Sequence, residues 1–207
     1  MDTKHRNAIA HLVALAGWFV LVPPPAVVAQ GEAASVERRI EVGEFYLRSG
    51  RWQEAADVFQ PLSERPDAPA SVFRGLGEAY LNSGRRDDAV RALEEANRRG
   101  ADPRARLLLI DLLSDRREGW PRAIDLLQVH VAENPADTDS QRRLADLLIY
   151  VNRIDEAVPV LRGVVAARPD DAPTLLLYAR ALSWTGSFAE AAPLFDRALA
   201  AGGALQP

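Results

Sequence analysis

The sequence predicts an all-α protein, a right-handed superhelical α-solenoid of five helical hairpins of 34 residues each. Three observations predict this fold. Alanine recurs every 34 residues, a large apolar residue follows each alanine by four places, and a turn-forming residue precedes most of them by five. The alanines are Ala55, Ala89, Ala123, Ala157 and Ala191, the apolar residues are Phe59, Leu93, Leu127, Leu161 and Phe195, and the turn formers are Gly50, Gly84, Asn152 and Gly186. In the third unit Glu118 takes the turn position, and Gly119 follows it.

The apolar spacing inside each unit is helical. In the second unit Phe73, Leu76 and Tyr80 recur at helical intervals, Gly84 interrupts the pattern, and a second apolar run follows. Each unit is therefore predicted to be two helices joined by a short turn. The expected hairpins cover residues 36–69, 70–103, 104–137, 138–171 and 172–205.

The second unit carries a recognisable motif. It reads Phe73-x2-Leu76-Gly77-x2-Tyr80, followed by Ala89-x3-Leu93. This pattern resembles the tetratricopeptide repeat, with Phe in place of the usual Trp, and the resemblance extends over nearly all of residues 36–205. It implies a stack of hairpins that share one continuous core, and it says little about function.

The first 29 residues are expected to be a signal peptide. Lys4 and Arg6 give a positive start, residues 9–22 form an apolar run, and Ala29 supplies the small residue before a cleavage site. Residues 30–35 are then a linker and residues 36–205 the repeat domain, in a periplasmic or secreted protein. An uncleaved N-terminal membrane anchor is the alternative, although a run of 14 residues is shorter than the roughly 20 that span a bilayer.

The composition argues against several classes of function. The chain has no cysteine, three histidines and a formal net charge of −4, with 25 basic and 29 acidic residues. Disulfides, thiolate metal sites and iron–sulfur clusters are therefore excluded, and nothing suggests the basic surface of a nucleic-acid-binding protein. We expect no metal, cofactor or nucleic acid.

Two polar residues of the third unit occupy positions where other units have small or apolar ones. Asp111 and His130 are expected to form a buried hydrogen-bonded pair, because an isolated buried carboxylate is costly. Ser114 lies nearby in the pattern and allows a catalytic triad as an alternative. Nothing supplies an oxyanion hole or a strained nucleophile turn, so catalysis is not expected.

The family resemblance implies a groove lined by the first helix of each hairpin. Its residues combine arginines, carboxylates, leucines and aromatic rings, which suit a partner segment with both acidic and apolar side chains. An ordinary solvent-facing surface is the alternative. The expected groove residues are Glu44, Leu47, Arg74, Glu78, Leu81, Leu108, Leu112, Arg142, Asp146, Ile149, Tyr150, Arg180 and Trp184.

Together these features predict an exported scaffold that binds a segment of a partner protein in its groove, in cell-envelope assembly or secretion. A self-assembling array is the alternative function, because little sequence follows the last apolar helix to cover its outer face. The residues expected to leave that face apolar are Ala191, Leu194, Ala198 and Leu199.

Overall fold

The structure is a computed structural model that describes residues 25–100 and 102–202, with side chains from residue 35 onward. The chain divides into two compact units, Met1–Glu37 and Arg38–Pro207. In the first unit the described part is residues 25–37, which are helical. The second unit contains the hairpins. Most of the predicted signal segment lies outside the described residues.

The described residues form ten α-helices and no strand. Helices α1 and α2, α3 and α4, α5 and α6, α7 and α8, and α9 and α10 are the five successive hairpins. Their bounds are α1 Pro25–Arg48, α2 Trp52–Ser63, α3 Ala70–Asn82, α4 Arg86–Arg99, α5 Pro103–Ser114, α6 Trp120–Glu133, α7 Thr138–Tyr150, α8 Ile154–Ala167, α9 Ala172–Trp184 and α10 Phe188–Gly202.

Each helix from α3 to α10 packs against its neighbours in sequence, both within its hairpin and across to the next one. One amphipathic hairpin cannot bury its own apolar face, so each hairpin covers the face of the one before it. The packing confirms the predicted all-α solenoid of stacked hairpins.

The turns inside four hairpins share one geometry. Gly50, Gly84, Asn152 and Gly186 all have positive φ, which most side chains avoid. The next residue in each turn donates a backbone hydrogen bond of 2.7–2.9 Å to a carbonyl five residues earlier. These are the four turn formers that the sequence placed in register.

The 34-residue columns form the centre of the core. Ala55, Ala89, Ala123 and Ala157 have no exposed surface, and neither do the apolar residues four places after them. Small residues here let the two helices of a hairpin approach closely, and the larger ones extend toward the next hairpin.

Phe59 shows how tight this contact is. A Cβ atom added to Gly43 on α1 would lie 2.5 Å from Cζ of Phe59, and one added to Gly75 on α3 would overlap the same ring. The Phe59 ring therefore fills the space left by two missing side chains, one in its own hairpin and one in the next. In the second hairpin, Gly77 makes the same kind of room for Leu93, whose Cγ would lie 2.6 Å from an added Cβ.

The third hairpin departs from the common register. In α7 the core positions are Leu144, Ala145, Leu147 and Leu148, whereas in α5 they are Leu109, Ile110, Leu112 and Leu113. The period of 34 would give 110, 111, 113 and 114, so α5 is shifted by one residue. A longer connection, which includes the 3-10 turn Arg117–Gly119, follows α5.

The shift makes the predicted Asp111–His130 pair wrong. Asp111 lies on the exposed side of α5 and forms an ion pair with Arg143 of α7. His130 is buried, and its Nε2 atom lies 3.0 Å from Oδ2 of Asp137. Ser114 donates its hydroxyl hydrogen bond to the carbonyl of Ile110 at 2.7 Å. The three side chains that suggested a triad are therefore bonded to three different partners.

Asp137 caps α7. Its Oδ1 accepts a hydrogen bond from the backbone N–H of Ser140 at 3.0 Å, and its Oδ2 accepts one from the Ser140 hydroxyl at 2.7 Å. These two bonds, together with the contact to His130, lower the pKa of Asp137 to about 2 although burial opposes them. Asp171 caps α9 in the same way through Thr174.

The region expected to be a linker, residues 30–35, belongs to α1, which begins at Pro25. It is therefore helical. No helix in the part of the chain that the structure describes is long and apolar enough to cross a membrane.

Changing Gly75 to Ala is expected to destabilise the protein by about 1–3 kcal/mol, because the new methyl group overlaps the Phe59 ring. Urea denaturation measures this change. Gly163→Ala in α8 is the matched control, since an added Cβ there meets no atom within 4 Å. The control should gain about 0.5–1 kcal/mol from helix propensity alone. Phe59→Leu should rescue part of the Gly75→Ala loss, and equal effects of the two alanines would contradict the packing argument.

Acid is expected to weaken the cap of α7. The folded-state pKa of Asp137, about 2, lies below its ordinary value of 3.8. Its contribution is therefore complete above pH 4 and is lost as the pH falls toward 2. Asp137→Asn should flatten the fall in unfolding free energy over this window by about 1–2 kcal/mol, allowing for solvent screening. Asp170→Asn, at an exposed carboxylate before α9, should leave the slope as it is in the wild type.

Candidate functional site

The predicted groove residues follow stripes on the first helices of the hairpins, and together they are called the first-helix face here. On α7 and α9 the stripe repeats at intervals of four: Arg142, Asp146 and Tyr150, then Leu176, Arg180 and Trp184. Leu47, Glu78 and Leu112 are buried. Glu44, Arg74, Leu81, Leu108, Arg142, Asp146 and Ile149 are partly exposed, and Tyr150, Arg180 and Trp184 are exposed.

One arginine organises the first half of this face. Arg74 of α3 bonds three carboxylates: Glu78 of its own helix at 2.9 Å, Glu44 of α1 at 3.0 Å and Asp102, the N-cap of α5, at 3.0 Å. Its side chain is 12% exposed. Burial opposes its charge, but the carboxylates of Glu78, Glu44 and Asp102 outweigh that effect and raise the pKa of Arg74.

Two further arginines complete this cluster. Arg104 of α5 reaches back to Glu78 at 3.1 Å, and Arg48 lies 3.7 Å from Glu44. Three arginines and three carboxylates then balance. The cluster borders a cavity of about 300 Å³, which is lined by Glu44, Leu47, Arg48, Trp52, Arg74, Glu78, Asn82 and Arg104. This half of the face is already neutralised from within.

The one-residue shift of α5 changes the middle of the face. Leu112 was expected to face the groove, but it is 4% exposed and belongs to the core. Leu108 moves off the stripe with it. Asp111 takes the position that Glu78 and Asp146 hold on α3 and α7, and it forms an ion pair with Arg143. The expectation that Leu112 is an apolar anchor in the groove is therefore wrong, whereas Leu108 remains partly exposed.

A regular ladder of ion pairs links the first helices. Glu44 of α1 bonds Arg74 of α3, Glu78 of α3 bonds Arg104 of α5, and Asp111 of α5 bonds Arg143 of α7. The acid is always at the same position on its helix, and the arginine is in the first half of the next first helix. We call this series the acid–arginine ladder.

The ladder stops at α7. Asp146 bonds only Arg142 of its own helix, at 3.3 Å, among the residues that the structure describes. Burial raises the pKa of Asp146, and Arg142 opposes this shift only in part.

The second half of the face carries exposed aromatic rings and an exposed arginine. Trp184 is 52% exposed, and the guanidinium of Arg180 lies 5.5 Å from the centre of its ring. Arg180 makes no ion pair within the described part of the chain. Tyr150 stacks on Trp120 with ring centres 5.3 Å apart, and Trp120 is held by a 2.9 Å hydrogen bond to the carbonyl of Ser114. This half presents charge and apolar surface together.

The sequence interpretation missed two polar residues. Arg106 is buried at a core position of α5 and forms an ion pair with Glu133; the residues 34 places before and after it, Val72 and Ser140, are buried as well. Asp137 was missed as the partner of His130. Its place just before a helical run, three residues ahead of Ser140, is a recognisable capping signal.

The C-terminal hairpin keeps an apolar cavity of about 280 Å³ at its outer side, lined by Ala172, Pro173, Leu176, Phe195, Ala198 and Leu199. Leu199 is 69% exposed. Ala191, Leu194 and Ala198, which were expected to leave apolar surface uncovered, are buried instead. The apolar surface at this end is therefore smaller than expected and centred on Leu199.

The described residues contain no group of three or more histidine, aspartate and glutamate side chains arranged to hold a metal ion.

Comparison with known proteins identifies the fold. Among proteins of curated function, none matches this sequence. MamA of AMB-1 is similar in structure, with a TM-score of 0.70 and 20% identity over 84% of this chain and 95% of MamA. MamA of MSR-1 has a TM-score of 0.64 and 23% identity, covering 82% and 97% of the two chains.

YrrB, described as a TPR protein with an unusual peptide-binding site, has a TM-score of 0.68 and 20% identity, covering 79% of this chain and 84% of YrrB. At such identities these likenesses show the fold alone. The family model of the tetratricopeptide repeat matches residues 46–112 and 148–204, more than half of the sequence. Because the model matches more than half of the sequence, the chain belongs to the tetratricopeptide repeat family.

Proposed function

We propose that this protein is a scaffold that binds a segment of a partner protein along the α7–α9 half of its first-helix face. The observation that carries the proposal is the contrast between the two halves. Arg74 is saturated by three carboxylates, whereas Arg180 is exposed beside Trp184 and makes no ion pair within the described residues. An arginine in this state can bind a carboxylate of a partner through two parallel hydrogen bonds.

The exposed aromatic rings also favour the α7–α9 half as the binding surface. Exposed Trp184 and Tyr150 offer apolar area of the kind that contributes most of the binding energy at protein interfaces. Trp120 holds Tyr150 in place by stacking, so little side-chain entropy is lost when a partner packs on it. The peptide-binding site of YrrB supports the proposal by analogy, since the two chains share this fold.

We place this scaffold outside the cytoplasm, in cell-envelope assembly or secretion. The basic start, the apolar run and the small residue at Ala29 support this location. A retained N-terminal anchor is the alternative. The proposed role needs no catalysis, and the Asp111, Ser114 and His130 side chains that suggested it are bonded to separate partners.

Arg180→Glu and Trp184→Ala are each expected to reduce recovery of bound proteins at least about tenfold, because they remove the exposed cation and the aromatic anchor. The measurement is affinity purification of tagged chain from its own cells, with circular dichroism to show unchanged helix content. Phe188→Ala and Arg98→Glu are matched controls at exposed positions on second helices.

Equal losses from the variants and their controls would contradict the proposed surface. The N terminus of the recovered protein, at Gln30 or at Met1, distinguishes a cleaved signal from a retained anchor.

A second candidate function is self-association through the C-terminal end. The apolar cavity beside Leu199 favours it, because an exposed leucine and an apolar cavity on the same face can complement each other in a two-fold dimer.

If two copies pair in this way, Leu199→Glu should shift the protein to monomer in sedimentation velocity without loss of helix content. Leu194 is buried, so its substitution by Glu would test folding rather than association. Ala200→Glu, at the adjacent exposed position, is the control. A wild-type protein that is monomeric at every concentration tested would rule out this candidate.

A further inference from the structure

We propose that Asp146 is the receptor for a basic side chain of the bound segment, while Arg180 on the next first helix receives an acidic one. The inference rests on the proposed function, since it names the chemistry of the segment that the α7–α9 half would bind. The observation that supports it is that the acid–arginine ladder ends at Asp146, which has no arginine partner on the next first helix among the described residues.

The first three steps of the ladder establish a rule. Each acid at this position of a first helix accepts hydrogen bonds from an arginine that lies in the first half of the following first helix. The rule holds even at α5, where the helix is shifted by one residue and Asp111 moves into the acid position. Arg143 of α7 still reaches it.

Helix α9 cannot extend the ladder. Its sequence from Ala172 to Tyr178 contains no basic residue. The three positions that correspond to Arg104, Arg74 and Arg143 are occupied by Pro173, Leu176 and Leu177. Asp146 therefore has no basic residue in the first half of the next first helix, where each earlier acid has its arginine.

Asp146 is left with a weak internal partner. Arg142 donates one hydrogen bond to Oδ2 at 3.3 Å, and the Arg142 side chain is itself 42% exposed. The Asp146 side chain is only 29% exposed, so it has lost much of its hydration without gaining a second cation. Burial raises its pKa for this reason. A Lys or Arg of a partner would supply the missing cation from outside.

The spacing of the two receptors restricts the segment. Asp146 and Arg180 hold the same position on successive first helices, 34 residues apart in sequence. An arginine side chain bridges successive first helices at each earlier step of the ladder, so we expect the two receptors to lie about 10 Å apart, a distance that an extended chain crosses in about three residues. The expected segment therefore carries a basic and an acidic residue about three positions apart, with an apolar residue between them to pack on Trp184.

The experiment selects displayed random peptides on the full chain and measures the affinity of the enriched peptides by fluorescence anisotropy. We expect enrichment of Lys or Arg about three positions from Asp or Glu. Asp146→Asn should weaken binding of an enriched peptide by about tenfold or more, in line with the loss of a charged hydrogen bond. Asp111→Asn is the matched control and should change the affinity less than twofold, because Arg143 already occupies that acid.

A second variant tests the receptor while Asp146 is kept. Leu176→Arg restores the basic residue that α9 lacks, so it should compete with the peptide and weaken binding by a similar factor. The same variant should lower the pKa of Asp146 in a carboxylate NMR titration while circular dichroism shows unchanged helix content, since exposure of Asp146 by damage to the fold would also lower this burial-raised pKa.

Peptides that depend on Arg180 and Trp184 but lack a basic residue, and that bind Asp146→Asn as tightly as wild type, would overturn this inference and leave the proposed function standing. Selection of peptides that are indifferent to Arg180 and Trp184 would overturn the proposed function itself.

Discussion

Contact between one hairpin and the next is the interaction on which the whole molecule depends. No hairpin closes its own core, so in the first four hairpins the large residue four places after the column alanine has to be covered from the following unit. The backbones of Gly43 and Gly75 approach the Phe59 ring so closely that neither position has room for a side chain. The same economy of space occurs in the second hairpin, where Gly77 leaves room for Leu93. Close approach of the helices there depends on the absence of a side chain at one position.

The periodic part of this design could be predicted from the sequence. The alanine and apolar columns, the turn formers and the helical spacing inside each unit all repeat, so each confirms the register of the others. The positive φ of Asn152 is a clear case, because its column holds glycine in three of the other four units. The sequence pattern could therefore identify the residues that have the same role in every hairpin.

The third hairpin shows what a strict period could not give. Counting by 34 put Asp111 in the core and Leu112 in the groove, and the structure exchanges them. The position of Gly119, one residue later than in the other units, indicated a different turn. It did not indicate which of the two flanking helices is shifted in register. The partner of His130 was missed for a different reason: Asp137 is the last residue of the predicted third unit and caps the first helix of the next hairpin, outside the columns that differ between units.

The unequal charge balance of the first-helix face has a consequence for how ionic strength acts on the protein. Around Arg74 the charges are largely removed from water and paired at 2.9–3.0 Å, so dissolved ions screen them little. Arg180 and the Arg142–Asp146 pair are more exposed, within reach of counterions at a Debye length of about 8 Å in physiological salt. Salt therefore acts mainly on the open half of the face. The helices of the protein can stay stacked while added salt weakens the attraction between this half of the face and a charged segment.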